Sequence, residues 1–322
     1  IEREGVNSFK VFMAYKGGVM VSDATLYRTL LSAREHGALV LVHAENGDVI
    51  ALREGELLAA GKTAPKYHAA ARPPRVEAEA TGRAAALAEL AGAPLYVVHV
   101  SCREALDEIV RARRRGVRVY AETCPQYLFR TVDDLDRPGF EGAKYVCSPA
   151  LREAWQRDVL WDALEQGMLQ VVGSDHSAFY FRGSDQKERG LGDFTRIPNG
   201  VPGIEERMML AYQGVVAGKL GLQRFVDVVA TAPARIMGLA PRKGTISVGA
   251  DADLVLWDPN AALTLGQATL HHRVDYSIYE GTAVVGAPDC VLSRGEVIVR
   301  SRQPVATPGR GEYLPRHAAG RV

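Results

Sequence analysis

Three short apolar runs in this chain each stop at a side chain able to bind a metal. Leu39-Val40-Leu41-Val42 ends at His43, Leu95-Tyr96-Val97-Val98 ends at His99, and Leu169-Gln170-Val171-Val172-Gly173-Ser174 leads to Asp175. Nearly continuous apolar runs of this length read as strands covered on both faces, the condition of a parallel sheet. Between them, apolar residues recur every three or four positions, which predicts helices over 24–35, 77–90, 103–115 and 153–166. Ser22 and Asp23 supply a cap for the first of these. Strands alternating with helices, with polar residues at the strand C-terminal ends, predict an α/β protein built on a (β/α)8 TIM-type barrel. Strands ending at Lys10, His43, His99, Glu122 and Asp175 leave about three of the eight unaccounted for, so the barrel is expected to be incomplete in this chain.

A fourth polar residue sits inside such a run. Ser8-Phe9-Lys10-Val11-Phe12-Met13-Ala14-Tyr15 reads as a buried strand with one ammonium in it. An unpaired buried ammonium is costly, so such a lysine is expected to be paired, neutral or chemically modified. A neutral amine reacts with CO2 to give a carbamate, an anion with two oxygens that can bridge two metal ions. Lysine is scarce here, 8 against 31 arginines, so Lys10 was not placed for bulk charge. The plain alternative is a lysine reaching from a strand end to solvent. Two histidines, one aspartate and one lysine from four different strand ends make a metal site the stronger reading.

A chain of 322 residues with 47% hydrophobic content has room for one large domain and a small one. A net charge of +1 gives no bulk attraction to nucleic acid or to a membrane surface. The basic run 111–115 ends a predicted helix, where cations suit the dipole. Cys102, Cys124, Cys147 and Cys290 match no zinc spacing and suggest no disulfide framework, so a reducing cytoplasm is the default. No apolar segment reaches the roughly 18 residues that cross a bilayer, and no signal peptide is visible.

The organisation expected is a barrel unit over 1–240, a small β module over 241–300 and a Pro-, Gly- and Arg-rich arm over 301–322. A last barrel helix is expected over 225–239. Glycines and short β-branched runs predict hairpins over 241–257, and a strand pair is expected over 289–299. The arm is expected either to be disordered or to pack on a partner subunit.

These residues carry a family pattern. The chain resembles the cyclic amidohydrolases, and within them the dihydropyrimidinases and D-hydantoinases, from Ile1 to about Tyr313. The segments that carry the resemblance include Ser8-Phe9-Lys10-Val11-Phe12-Met13-Ala14-Tyr15-Lys16, His43-Ala44-Glu45-Asn46-Gly47-Asp48 and Tyr96-Val97-Val98-His99-Val100-Ser101. Glu122-Thr123-Cys124-Pro125-Gln126-Tyr127-Leu128, Tyr145-Val146-Cys147-Ser148-Pro149, Gly173-Ser174-Asp175-His176 and Ile197-Pro198-Asn199-Gly200 belong to the same pattern.

The resemblance implies hydrolysis of a small cyclic amide or imide by two divalent metal ions, usually Zn2+, bridged by a carbamylated Lys10. His43 and His99 stand where the family holds its second metal, and Asp175 stands at a ligand of the first and at the proton shuttle. Tyr15 matches the residue that stabilises the oxyanion, and Ser148 and Asn199 match positions whose backbone holds the substrate ring. A homotetramer is implied as well. Each residue also has a plainer reading: Tyr15 as a core tyrosine, Ser148 and Asn199-Gly200 as turn residues, Asp175 as a helix cap. His176 has no assigned role, and His68 reads as a surface or supporting residue.

The chain departs from the family at the first metal, which also needs a His-x-His pair at the end of the first barrel strand. Histidines stand only at 36, 43, 68, 99, 176, 271, 272 and 317, and none forms that pair. With Ile1 rather than Met at its start, the chain is expected to be the C-terminal portion of a longer enzyme. The β module is expected to be the second half of the family's β-sandwich. Alternatives are an allantoinase or dihydroorotase acting on another ring, a non-enzymatic tetrameric homologue of the collapsin response mediator type, or a fragment without activity of its own.

Overall fold

A computed structural model describes residues 1 and 3–316 of the protein. Five parallel strands form one sheet in sequential order: β1 (Ser8–Phe12), β2 (Leu39–His43), β3 (Leu95–Val97), β4 (Val119–Thr123) and β5 (Val171–Val172). Helices α1 (Asp23–His36), α2 (Gly47–Ala59), α3 (Tyr67–Ala71), α4 (Pro74–Ala91), α5 (Arg103–Arg114), α6 (Pro125–Phe129) and α7 (Trp155–Glu165) alternate with them. The count of five strands and the four predicted helices agree with the sequence reading to within a few residues.

Local chemistry sets the boundaries. Ser22 Oγ accepts from the Thr25 N–H to open α1, and Gly37, at φ 67°, closes it in the left-handed conformation that glycine adopts without a Cβ clash. Asn46 caps α2 in the same way through Val49 N–H. Pro74 occupies the first turn of α4, where its missing N–H leaves no bond unmade.

The sheet is covered on both sides. Val40, Val42, Leu95, Val97, Val119 and Ala121 pack outward against Leu26 and Leu30 of α1, the alanines of α4, and Ile109 of α5. The inner face, with Leu39, Tyr96, Val98 and Val171, is plugged by Ala232 and Ile236. Those two residues lie on the last barrel helix, expected as one piece over 225–239. It runs instead as α9 (Leu222–Val226, following α8, Arg207–Val216), a π turn over Asp227–Thr231, and α10 (Ala232–Ile236). Pro233 at the start of α10 supplies no N–H to the preceding turn, which widens there.

The second sheet is antiparallel: β6 (Leu254–Leu265), β7 (Thr282–Ser293), β8 (Glu296–Arg300) and β9 (Gln303–Pro304). The hairpin expected before Leu254 does not form. Residues 241–253 are turns, tied by Lys243 to Asp251 and Asp253, and Ile246 and Val248 are exposed. Over its described part the arm is held against its own chain. Gln303 and Pro304 extend the sheet, the Tyr313 hydroxyl donates to Glu4 O, and Arg316 N–H donates to Gly5 O at 2.8 Å. Residues 317–322 of the arm lie outside the described residues. Among the described residues, no helix is long and apolar enough to cross a membrane.

Candidate active site

Strand register gathers the polar residues. Side chains alternate between the faces of a strand, and residues directly paired in a parallel sheet point to the same side. The pairs Lys10↔Leu41, Phe12↔His43, Leu41↔Tyr96, Tyr96↔Tyr120 and Glu122↔Val171 therefore place Lys10, Phe12, His43, Tyr96, Tyr120 and Glu122 on one inner face. The polar members sit toward its C-terminal rim. His43 Nδ1 lies 2.9 Å from His99 Nε2. The Tyr15 ring lies 5.3 Å from the His43 ring and Phe12 lies 5.6 Å from it, so two aromatic faces wall the first histidine.

The backbone is bent to bring three of these residues in. Tyr15, His99 and Asp175 have φ of 66°, 43° and 46°, a region where a side chain is disfavoured. The other described non-glycine residues there are Arg294, Ser301 and Arg302, which sit in the turns between β7 and β8 and between β8 and β9. Tyr15, His99 and Asp175 instead follow barrel strands, and their conformation is the kind of local strain that a surrounding site maintains.

The charges respond to this crowding. Burial raises Asp175 above the usual aspartate range, against the pull of Lys10 and His43. Burial pushes Glu122 up to about 7, with the Tyr96 hydroxyl donating to it at 2.8 Å. Burial, then His43 and Lys10, hold His99 well below the ordinary histidine value, so it is a neutral imidazole with a lone pair to offer. Tyr15 is raised by burial and by Glu45. Ser148 and Asn199 lie beside its hydroxyl and act in the opposite direction, although the buried Ser148 Oγ finds no partner at hydrogen-bond geometry. The site thus brings together every sequence-selected residue: Lys10, Tyr15, His43, His99, Ser148, Asp175 and Asn199.

Lys10 is the correction. The sequence reading made it buried, yet its side chain and that of Phe9 are exposed. β1 is an edge strand, paired to β2 on one side only, so the sheet cannot enclose it. The ammonium still lies near enough to bias His99, Glu122 and Asp175, and 5.0 Å from the Phe12 ring centroid.

A buried ionic network supports the histidines, and the sequence reading missed it. His43 Nε2 is 2.8 Å from Glu45 Oε2, and Arg72 Nη1 donates to the same oxygen at 3.3 Å. Burial alone would raise Glu45; Arg72, His43 and Arg152 outweigh it and hold the carboxylate ionised far below its usual range. Arg152 donates to Glu77 at 2.8 Å, to Ser101 Oγ at 2.8 Å and to Arg72 O. His68 is buried rather than superficial: its Nε2 lies 2.8 Å from Cys147 O, next to Ser148. His176 Nδ1 accepts from the Gly203 and Ile204 N–H groups. The spacing of His43 and Glu45 was a readable signal; the arginines gave none.

His43 and His99 offer a donor pair for one divalent ion. Two imidazole nitrogens converge, a donor pair suited to zinc and its neighbours. Among the described residues, no three His, Cys, Asp or Glu side chains are grouped so as to hold a metal ion by themselves. For a second ion the sequence offers Lys10 and Asp175 without a His-x-His pair.

Residues 3–298 match the model of the amidohydrolase family. The chain is 54% identical over 312 residues to a D-hydantoinase of Ralstonia pickettii, covering 97% of this chain and 68% of that protein. It is 54% identical over 321 residues to a D-hydantoinase of Geobacillus stearothermophilus, covering 99% of this chain and 68% of that protein. Among solved structures, the dihydropyrimidinase of Brevibacillus agri superposes with a TM-score of 0.97 at 54% identity, over 99% of this chain and 69% of that one. These neighbours share a fold of TIM-type barrel plus β-sandwich.

Proposed function

The chain belongs to the amidohydrolase family, and from that premise we propose that it opens dihydropyrimidine and hydantoin rings by metal-dependent hydrolysis, yielding N-carbamoyl amino acids. The observation that carries this reading is the convergence of His43 Nδ1 and His99 Nε2 at 2.9 Å, on the rim that Tyr15 and Asp175 share.

His43 and His99 would hold one divalent ion, with zinc the fitting choice for two imidazoles. Lys10, once deprotonated to the neutral amine, would take up CO2 at Nζ with loss of a second proton to solvent, and offer the resulting carbamate as the bridging anion. Asp175 would complete the ligand set on the other side. When bound, the metal supplies Lewis-acid activation of water and of the ring carbonyl.

The chain's own groups supply the rest. Tyr15 donates its hydroxyl to the oxygen on which negative charge develops, and burial keeps that phenol protonated. Asp175, raised by burial, takes the proton from the attacking water and returns it to the departing ring nitrogen. The backbone at Ser148 and Asn199 holds the ring amide beside Tyr15. Residues 1–240 would form the catalytic unit, 241–300 a sandwich half and 301–322 an arm, in an enzyme assembled as a tetramer in the cytoplasm.

A substrate panel tests the reading. The metal-loaded protein should open dihydrouracil and hydantoin in preference to dihydroorotate and allantoin. Preference for the carboxylated ring would assign the dihydroorotase branch instead.

A further inference from the structure

Lys187 is completely buried and, among the described residues, has no carboxylate partner. It opens a short 3-10 turn (Lys187–Gly190) in the loop between Asp175 and Asn199. Its ammonium donates to Val146 O at 2.8 Å and to Pro198 O at 2.7 Å. Val146 O also accepts from Gly200 N–H at 3.0 Å, so two chain segments meet on one oxygen. One segment leads into Ser148 and the other into Asn199.

The same cradle fixes the neighbouring carbonyls. His68 Nε2 lies against Cys147 O at 2.8 Å, and the Tyr127 hydroxyl donates to Pro149 O at 2.8 Å. Among the described residues, the carbonyl of Ser148 has no hydrogen-bond donor, while those on either side of it are engaged. The far side is equally rigid. A Cβ on Gly190 would lie 2.1 Å from Ile197 Cγ1, and one on Gly200 would lie 2.4 Å from Ser177 O. The lysine turn is thus pressed against the strand of chain that carries Asn199.

We infer that Lys187 is a positioning residue that sets the distance between the Ser148 and Asn199 backbones, and so the fit of the cyclic amide between them. A buried cation shared by two carbonyls is a directional clamp, because removing it leaves Pro198 O without its donor and Val146 O with the Gly200 N–H alone. Nothing in the ring-opening chemistry uses Lys187 itself; it acts through the two segments that it joins. The inference rests on the reading of Ser148 and Asn199 as the ring-holding backbone.

The test compares wild type, Lys187→Met and Lys187→Gln in the zinc-loaded chain, with dihydrouracil as the probe. Hydrogen exchange at the Gly200 amide is followed in parallel. Lys187→Met keeps the length of the side chain and loses both donors; KM should rise about tenfold or more while kcat moves by less than about threefold. Exchange at Gly200 should quicken by about tenfold. Lys187→Gln, which keeps an N–H2 group, should fall between the two, and it decides the matter should the Met variant not fold. Wild-type KM and Gly200 exchange in the folded variant would overturn the inference. So would a fall in kcat with KM unchanged. A wild-type chain that opens no ring would sink the functional reading instead, and Gly200 exchange would still decide for or against Lys187.

Discussion

His43 and His99 present ring nitrogens to each other at 2.9 Å, while the opposite nitrogen of His43 is held at 2.8 Å by Glu45. A carboxylate at Nε2 fixes the proton there and leaves the Nδ1 lone pair free to face His99. Replacing Glu45 by Leu should therefore lower zinc affinity by about 10–100-fold without moving either histidine. Competition against a chromophoric chelator measures this. Unchanged affinity would mean that packing against Phe12 and Tyr15 orients His43 unaided.

Tyr15→Phe removes one hydroxyl and keeps the ring that packs on His43. Turnover should fall by about 10²–10³-fold, the loss typical of one oxyanion donor, with zinc content unchanged. A variant of normal turnover would take Tyr15 out of the chemistry and leave it as a wall of the site.

Lys10→Ala should abolish bridged metal binding, and added short carboxylic acids should restore part of it by standing in for the carbamate. Metal analysis with and without acetate reads this directly. Full metal content and full rate in the Ala variant would dispose of the carbamate bridge.

Lys187 also predicts a pH dependence of stability. Burial pushes its ammonium down to about 7 from the ordinary lysine value of 10.5. Between those values the unfolded chain binds the extra proton, so stability should rise as pH increases from about 7 to about 10.5, and be lost as pH falls back. Buried Cys147, pushed up to about 12, opposes this at the alkaline end. The difference between wild type and Lys187→Met in denaturant titrations isolates the lysine. A difference that stays flat across that window would show that the lysine does not titrate there.

What the sequence made legible was whatever depends on near neighbours. The run Leu39–His43 is the observed β2 to the residue, and the helix expected over 24–35 is Asp23–His36, because caps and periodicity act locally. Lys10 was misplaced because an edge strand and a central one have the same pattern; only the sheet order distinguishes them. Arg72 meets Glu45 across 27 residues and Lys187 meets Val146 across 41, and no spacing in a single sequence encodes such contacts. The expected hairpin before Leu254 failed because Lys243, Asp251 and Asp253 close a polar loop that strand pairing would have to break.

The central claim is that this rim is a metal-dependent cyclic amidase. Its most direct test is ring opening of dihydrouracil by the 322-residue chain, loaded with zinc in the presence of bicarbonate and then treated with chelator. The account predicts turnover that chelator abolishes and fresh zinc restores. Zinc bound at His43 and His99 with no ring opened, or turnover that survives chelator, would contradict it.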